Sequence, residues 1–128
     1  MNHIANVGGV FIYARDAKKL ADWYTENLGL ELVPYGATVF GCAFEYTEPT
    51  NGKPTSLVWS IMQNTERPVS DERVFTVNYR TLDLRALVAH LEQKGVEVKP
   101  IQEHGEGLFA WCRDPEGNYL ELWQDSQA

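Results

Sequence analysis

Residues 113–125 read RDPEGNYLELWQD. The segment Asp114-Pro115-Glu116-Gly117 is a turn signature, with proline fixing φ and glycine free to take a positive φ. The strand after it alternates Tyr119, Leu120, Glu121, Leu122 and Trp123. Period two sends the leucines to one face and Glu121, with Tyr119 and Trp123, to the other. Two leucines need a core, so the carboxylate faces away from it. Whether it meets bulk water or lines a hollow depends on what the rest of the chain builds.

Working back from that strand, GLFAWCR (107–113) and VEVKP (96–100) read as strands. The segment TLDLRALVAHLEQKG reads as a helix, with Leu84, Leu87, Val88 and Leu91 on its apolar face and Gly95 as its stop. RVFTVNY (73–79) opens this half as a strand. The first half runs in the same order. VGGVFIYA (7–14) is a strand, and Asp16 N-caps a helix whose Ala17, Leu20, Ala21, Tyr24 and Leu28 recur at spacings of three and four. Gly29 closes that helix in the left-handed region. LELV (30–33), TVFGCAFEY (38–46) and SLVWSIMQ (56–63) follow as strands, with Pro34 and Gly36 as punctuation and a polar loop over 47–55. Both halves read β-α-β-β-β, and Gly29 and Gly95 stand 66 positions apart, about half the chain. NTERPVSDE (64–72) is the linker. The expected class is α+β: one domain over 1–128 with βαβββ modules at 5–63 and 73–125, forming a curved mixed sheet around a cleft with helices outside.

A chain of 128 residues, 44% hydrophobic and 23% charged, suits a single globular domain. Net charge is −7 with no Lys/Arg cluster, so a nucleic-acid backbone would be repelled. No stretch approaches the roughly 20 apolar residues that span a bilayer, and the N-terminus shows no basic n-region. The expectation is a cytoplasmic protein with neither membrane nor nucleic-acid partner. Cys42 and Cys112 each lie in an apolar run and match no zinc or redox spacing, which points to buried, reduced thiols.

With these elements in place, ADWYTENLGLEL, LVAHLEQKGVEV and RDPEGNYLELWQ together resemble the vicinal oxygen chelate superfamily. This superfamily includes glyoxalase I, the bleomycin-resistance proteins and the extradiol dioxygenases, and the likeness extends over nearly the whole chain. It implies a homodimer. For metal-dependent members it also implies four ligands, one on the first and one on the last strand of each module. The corresponding positions here are Gly9, Thr76, Trp59 (or Ser60 if the register shifts by one) and Glu121. Only Glu121 supplies a ligand, whereas a catalytic divalent ion takes about three from the protein. His3, His90 and His104 do not complete a set. The expectation is no metal and no cofactor.

Alternation then places Phe11, Tyr13, Thr76, Asn78, Tyr119, Glu121 and Trp123 toward the cleft, with Leu57, Trp59 and Ile61 on the favoured register. Gly8 and Gly9 leave room for a ligand beside the backbone. Arg80 is expected on the face opposite Asn78; a bend that turned it inward would let it hold a carboxylate or phosphate substrate. A carboxylate in such a hollow needs hydrogen bonds, or desolvation raises its pKa. An apolar cleft with few polar groups is the usual form of a small-molecule site. The primary expectation is a binding protein that stacks an aromatic or cationic small molecule and pairs its charge with acidic groups. The alternative is a glyoxalase-like lyase or isomerase. In it Glu121 is the general base or the remaining metal ligand, and Asn78 or Tyr119 donates to the oxyanion.

Overall fold

The structure, a computed structural model, describes residues 5–66 and 76–126. The start of the 73–79 strand, most of the 64–72 linker and His3 lie outside the described residues. The chain divides between Arg67 and Pro68 into two compact units. The first carries β1 (Gly9–Ala14), α1 (Ala17–Leu28), β2 (Val33–Pro34), β3 (Val39–Thr47) and β4 (Pro54–Gln63). The second carries β5 (Val77–Arg80), α2 (Leu84–Gln93), β6 (Gln102–His104), β7 (Gly107–Arg113) and β8 (Tyr119–Asp125). Each unit is a four-stranded mixed sheet, ordered β1-β4-β3-β2 and β5-β8-β7-β6. In both, the first strand pairs parallel with the last, and the rest is antiparallel.

The helix ends follow local chemistry. Asp16 and Asp83 accept hydrogen bonds from the backbone N–H of Lys19 and Ala86, each at 3.1 Å, satisfying donors that a helix start leaves open. A second acceptor comes from the end of each module's last strand. Gln63 Oε1 accepts from Ala17 N at 3.1 Å, and Gln124 Oε1 from Leu84 N at 2.8 Å. Gly29, with φ 71°, and Gly95, with φ 85°, turn the chain out of each helix in the left-handed region.

Each helix covers one face of its own sheet. Ile12, Ala14, Leu20, Tyr24, Trp59 and Ile61 form the first core, and Leu84, Leu91, Ala110, Cys112, Leu120 and Leu122 the second. No described helix is long and apolar enough to cross a membrane.

Two expected strands differ. LELV contributes only Val33 to β2, and Pro34, expected as punctuation, pairs with Phe40 instead. A proline is tolerated there because β2 is an edge strand. VEVKP forms no strand. The strand is β6, two residues further on, in a segment expected to be loop. Gln102 pairs with Phe109, so an unbroken ladder would set Pro100 opposite Trp111. Proline has no N–H to give, and Lys99 N donates to Trp111 O instead, at 2.9 Å.

Candidate functional site

In the second module the alternation of β8 is realised. Leu120 and Leu122 are buried at 1% and 0% exposure on the helix-covered face. Tyr119, Glu121 and Trp123 project from the other face and are half-buried. Glu121 sits at the centre of a rung across three strands, opposite Asn78 on β5 and Trp111 on β7. Asn78 Nδ2 donates to Oε2 at 2.8 Å, and Trp111 Nε1 donates to Oε1 at 3.1 Å. The carboxylate is thus held by two neutral donors, one on each oxygen, and still has lone pairs to offer.

The next rung is aromatic. Phe109 lies opposite Trp123, and its ring is nearly parallel to those of Trp111 and Trp123, with centroids 6.3 Å apart in each case. Trp123 Nε1 donates to Glu106 O at 2.9 Å, which fixes the indole against the β6–β7 turn. His104, expected in a loop, is on β6, its ring 5.8 Å from Phe109 and its Nε2 3.0 Å from Gln102 Oε1. On the other side of Glu121, the Tyr119 ring has Arg113 at 5.2 Å and Lys99 at 5.5 Å. Thr76 is exposed just before β5.

Arg80 requires a correction. It was expected on the face opposite Asn78, but two residues along a strand share a face. Asn78 pairs with Glu121 and Arg80 with Trp123, which puts both on the ring-bearing side. Phe109 and Trp111 were not singled out in the sequence. Their signal was there, because a buried Cys112 in GLFAWCR sends Trp111 and Phe109 to the opposite face.

In the first module Phe11 and Tyr13 project from the face that α1 leaves open, 45% and 44% exposed. Trp59 does not join them. The β1–β4 register pairs Phe11 with Ser60 and Ile12 with Ile61, so Trp59 and Ile61 point to the helix side. Trp59 is 1% exposed and meets the Tyr24 ring of α1 edge-on, centroids 4.8 Å apart. Its bulk is core, and Ser60 holds the open-face position. Gly9 does not leave the expected space either. A Cβ there would lie 3.2 Å from the Phe11 ring and 2.9 Å from Val58 O, so the phenyl fills the gap, whereas Gly8 stays open.

Residues 1–122 match the family described as the Glyoxalase/Bleomycin resistance protein/Dioxygenase superfamily. The chain belongs to it. An antibiotic-binding protein from Streptomyces sp. CB03234, TnmS3, superposes with a TM-score of 0.68 at 27% identity, over 98% of this chain and 100% of that one. A glyoxylase/bleomycin resistance protein/dioxygenase domain from Frankia sp. EAN1pec gives 0.69 at 19% identity, over 95% and 98%. The bleomycin resistance determinant encoded on the transposon Tn5 gives 0.68 at 18%, over 94% and 98%. No curated protein matches the chain.

Metal-dependent members of the superfamily place ligands on the first and last strands of each module. Here those positions hold Gly9, Thr76, Ser60 and Glu121, and both Glu121 oxygens already accept hydrogen bonds. Among the described residues no three His, Cys, Asp or Glu side chains come together. This donor set does not fit a divalent metal, which takes about three protein ligands. Cys42 and Cys112 are both free, but only Cys112 is buried as expected; Cys42 is half-buried. Burial, with the Asp114 charge adding to it, pushes the Cys112 thiol up to about 11, and burial also raises that of Cys42.

Proposed function

We propose that this superfamily member is a small-molecule binding protein whose ligand, aromatic or cationic, rests in an aromatic-lined cleft on the open face of the second module. Glu121 anchors its polar group. Tyr119 and Trp123, with Phe109 and Trp111 beside them, provide the stacking surface, and Asn78 holds the anchor in place. Thr76 stands at the margin. Phe11 and Tyr13 form a separate candidate surface on the open face of their own module. Trp59 is left out because it is part of the core.

One observation carries this reading: a half-buried carboxylate, oriented by two N–H donors, next to three near-parallel rings. Aromatic faces attract rings by stacking and cations through their quadrupole, and a fixed carboxylate adds charge and direction. TnmS3, described as antibiotic-binding, shares 27% identity over almost the full chain, which supports sequestration as the task. The reading of Glu121 as general base ranks second. Each of its oxygens already accepts a hydrogen bond, and one of the two Asn78 amide hydrogens that would serve an oxyanion is committed to it.

The test is a thermal-shift screen of aromatic amines and polycyclic antibiotics on wild type and Glu121→Gln, with product analysis of every hit. Hits that bind unchanged and weaken in the variant support sequestration. A hit that is consumed by wild type, but only bound by the variant, moves the assignment to the general base. We read the protein as a homodimer as well, and a monomeric mass in sedimentation would refute that.

A further inference from the structure

We infer that Arg80 reads a carboxylate on the ligand, so that the molecule carries a hydrogen-bond donor for Glu121 and an acidic group for Arg80 on one aromatic framework. This rests on the binding reading above and narrows its ligand class.

Charge on the open face is the first argument. The chain is acidic overall, at −7, yet this face of the second module gathers Arg80, Arg113 and Lys99 against Glu121 and Asp125. A purely cationic ligand would meet three charges repelling it and two attracting it. Two of the three cations are engaged. Arg113 donates to Gly117 O at 3.3 Å and covers the Tyr119 ring, and Lys99 approaches the same ring. Arg80 differs: among the described residues it makes no hydrogen bond or ion pair.

Geometry is the second argument. Arg80 and Asn78 stand two residues apart on β5, about 6.6 Å at strand rise, and Asn78 takes up the near oxygen of Glu121. Glu121 and Arg80 therefore stand close on one face without pairing to each other. Arg80 also shares its rung with Trp123 and Phe109, the rings on which the ligand would stack. A planar guanidinium suits a carboxylate through two parallel N–H donors. A dianionic phosphate would be held off more strongly by Glu121 and Asp125, so the carboxylate is the better match.

The experiment uses four naphthyl probes of matched size: naphthylalanine, naphthylethylamine, naphthylpropionate and naphthylpropionamide. Binding to the full chain is read from the shifts of the tryptophan indole N–H resonances. Naphthylalanine is expected to bind about fivefold tighter than naphthylethylamine, the upper range for an exposed ion pair. Naphthylpropionate should likewise bind more tightly than its amide. Arg80→Gln, at an exposed edge-strand position, should remove both preferences, and Arg80→Lys should keep part of them. Glu121→Gln should weaken the two amines and spare the carboxylate preference. If naphthylalanine and naphthylethylamine bind wild type alike, or Arg80→Gln leaves the preference intact, the inference fails while binding on this face stands. If no probe moves the Trp111 or Trp123 indole resonance, both fail.

Discussion

Replacing Trp59 with alanine tests which way β4 faces. The side chain is 1% exposed and packs against Tyr24, itself fully buried on α1. Burying an indole removes roughly 150–250 Å² from water, worth about 4–6 kcal/mol at ~25 cal/mol per Å² as an upper bound. Measured large-to-small changes at aromatic core sites run at about 3–5 kcal/mol. We expect a loss of about 4 kcal/mol, a large share of the roughly 5–15 kcal/mol that holds a domain together. In urea denaturation followed by circular dichroism, the midpoint should fall by about 2 M, and the melting temperature by about 10–15 °C. Phe11→Ala, on the open face at 45% exposure, should cost about 1 kcal/mol or less. A Trp59→Ala protein within about 1 kcal/mol of wild type that has lost ligand binding would refute the register and return Trp59 to the site.

Glu121→Gln should cost under about 1 kcal/mol, because Asn78 can turn its amide and accept from the new N–H; Glu121→Leu leaves the part-buried Trp111 N–H without its acceptor, while the exposed Asn78 amide turns to water, and should cost about 1–2 kcal/mol in the same denaturation assay. Asp114, 4% exposed, accepts from the backbone N–H of Glu116 and Asn118 and from Asn118 Nδ2. Asp114→Ala should cost about 2–3 kcal/mol, with Asp114→Asn milder, and a change below about 0.5 kcal/mol would contradict the turn's role. Cys112 sets an alkaline limit. Its thiol ionises near 9 in the unfolded chain and near 11 when folded, so stability is full below pH 9 and falls as pH rises toward 11, by on the order of 2 kcal/mol. Equilibrium unfolding of Cys112→Ala across that range should show a flatter pH profile.

Both helices were legible because their signals are local: an aspartate cap, apolar spacings of three and four, and a closing glycine. The faces of β8 were legible for a similar reason, since only one phase buries both leucines. β4 was harder. In SLVWSIMQ apolar residues fall on both faces, so alternation selects no phase and the bulk of Trp59 drew it to the wrong side. The ladder lost at Pro100 depends on which backbone groups meet across strands, which composition does not reveal. Trp111 could have been read from its neighbour Cys112. Its bond to Glu121 could not, because it depends on the pairing of β7 with β8.

Gln63 and Gln124 each hold the first N–H of the helix in their own module. Counting three residues back from each reaches Ser60 and Glu121, so the two modules share a ruler whose zero mark is the helix start. A one-residue slip of β8 would bury Glu121 and, in the same movement, withdraw Gln124 from Leu84. The chain therefore cannot misplace its carboxylate silently: the error is reported at the far side of the sheet as a Leu84 N–H left without its acceptor. Strand-end glutamine is in this sense a proofreader of the site, and it does so without touching a ligand.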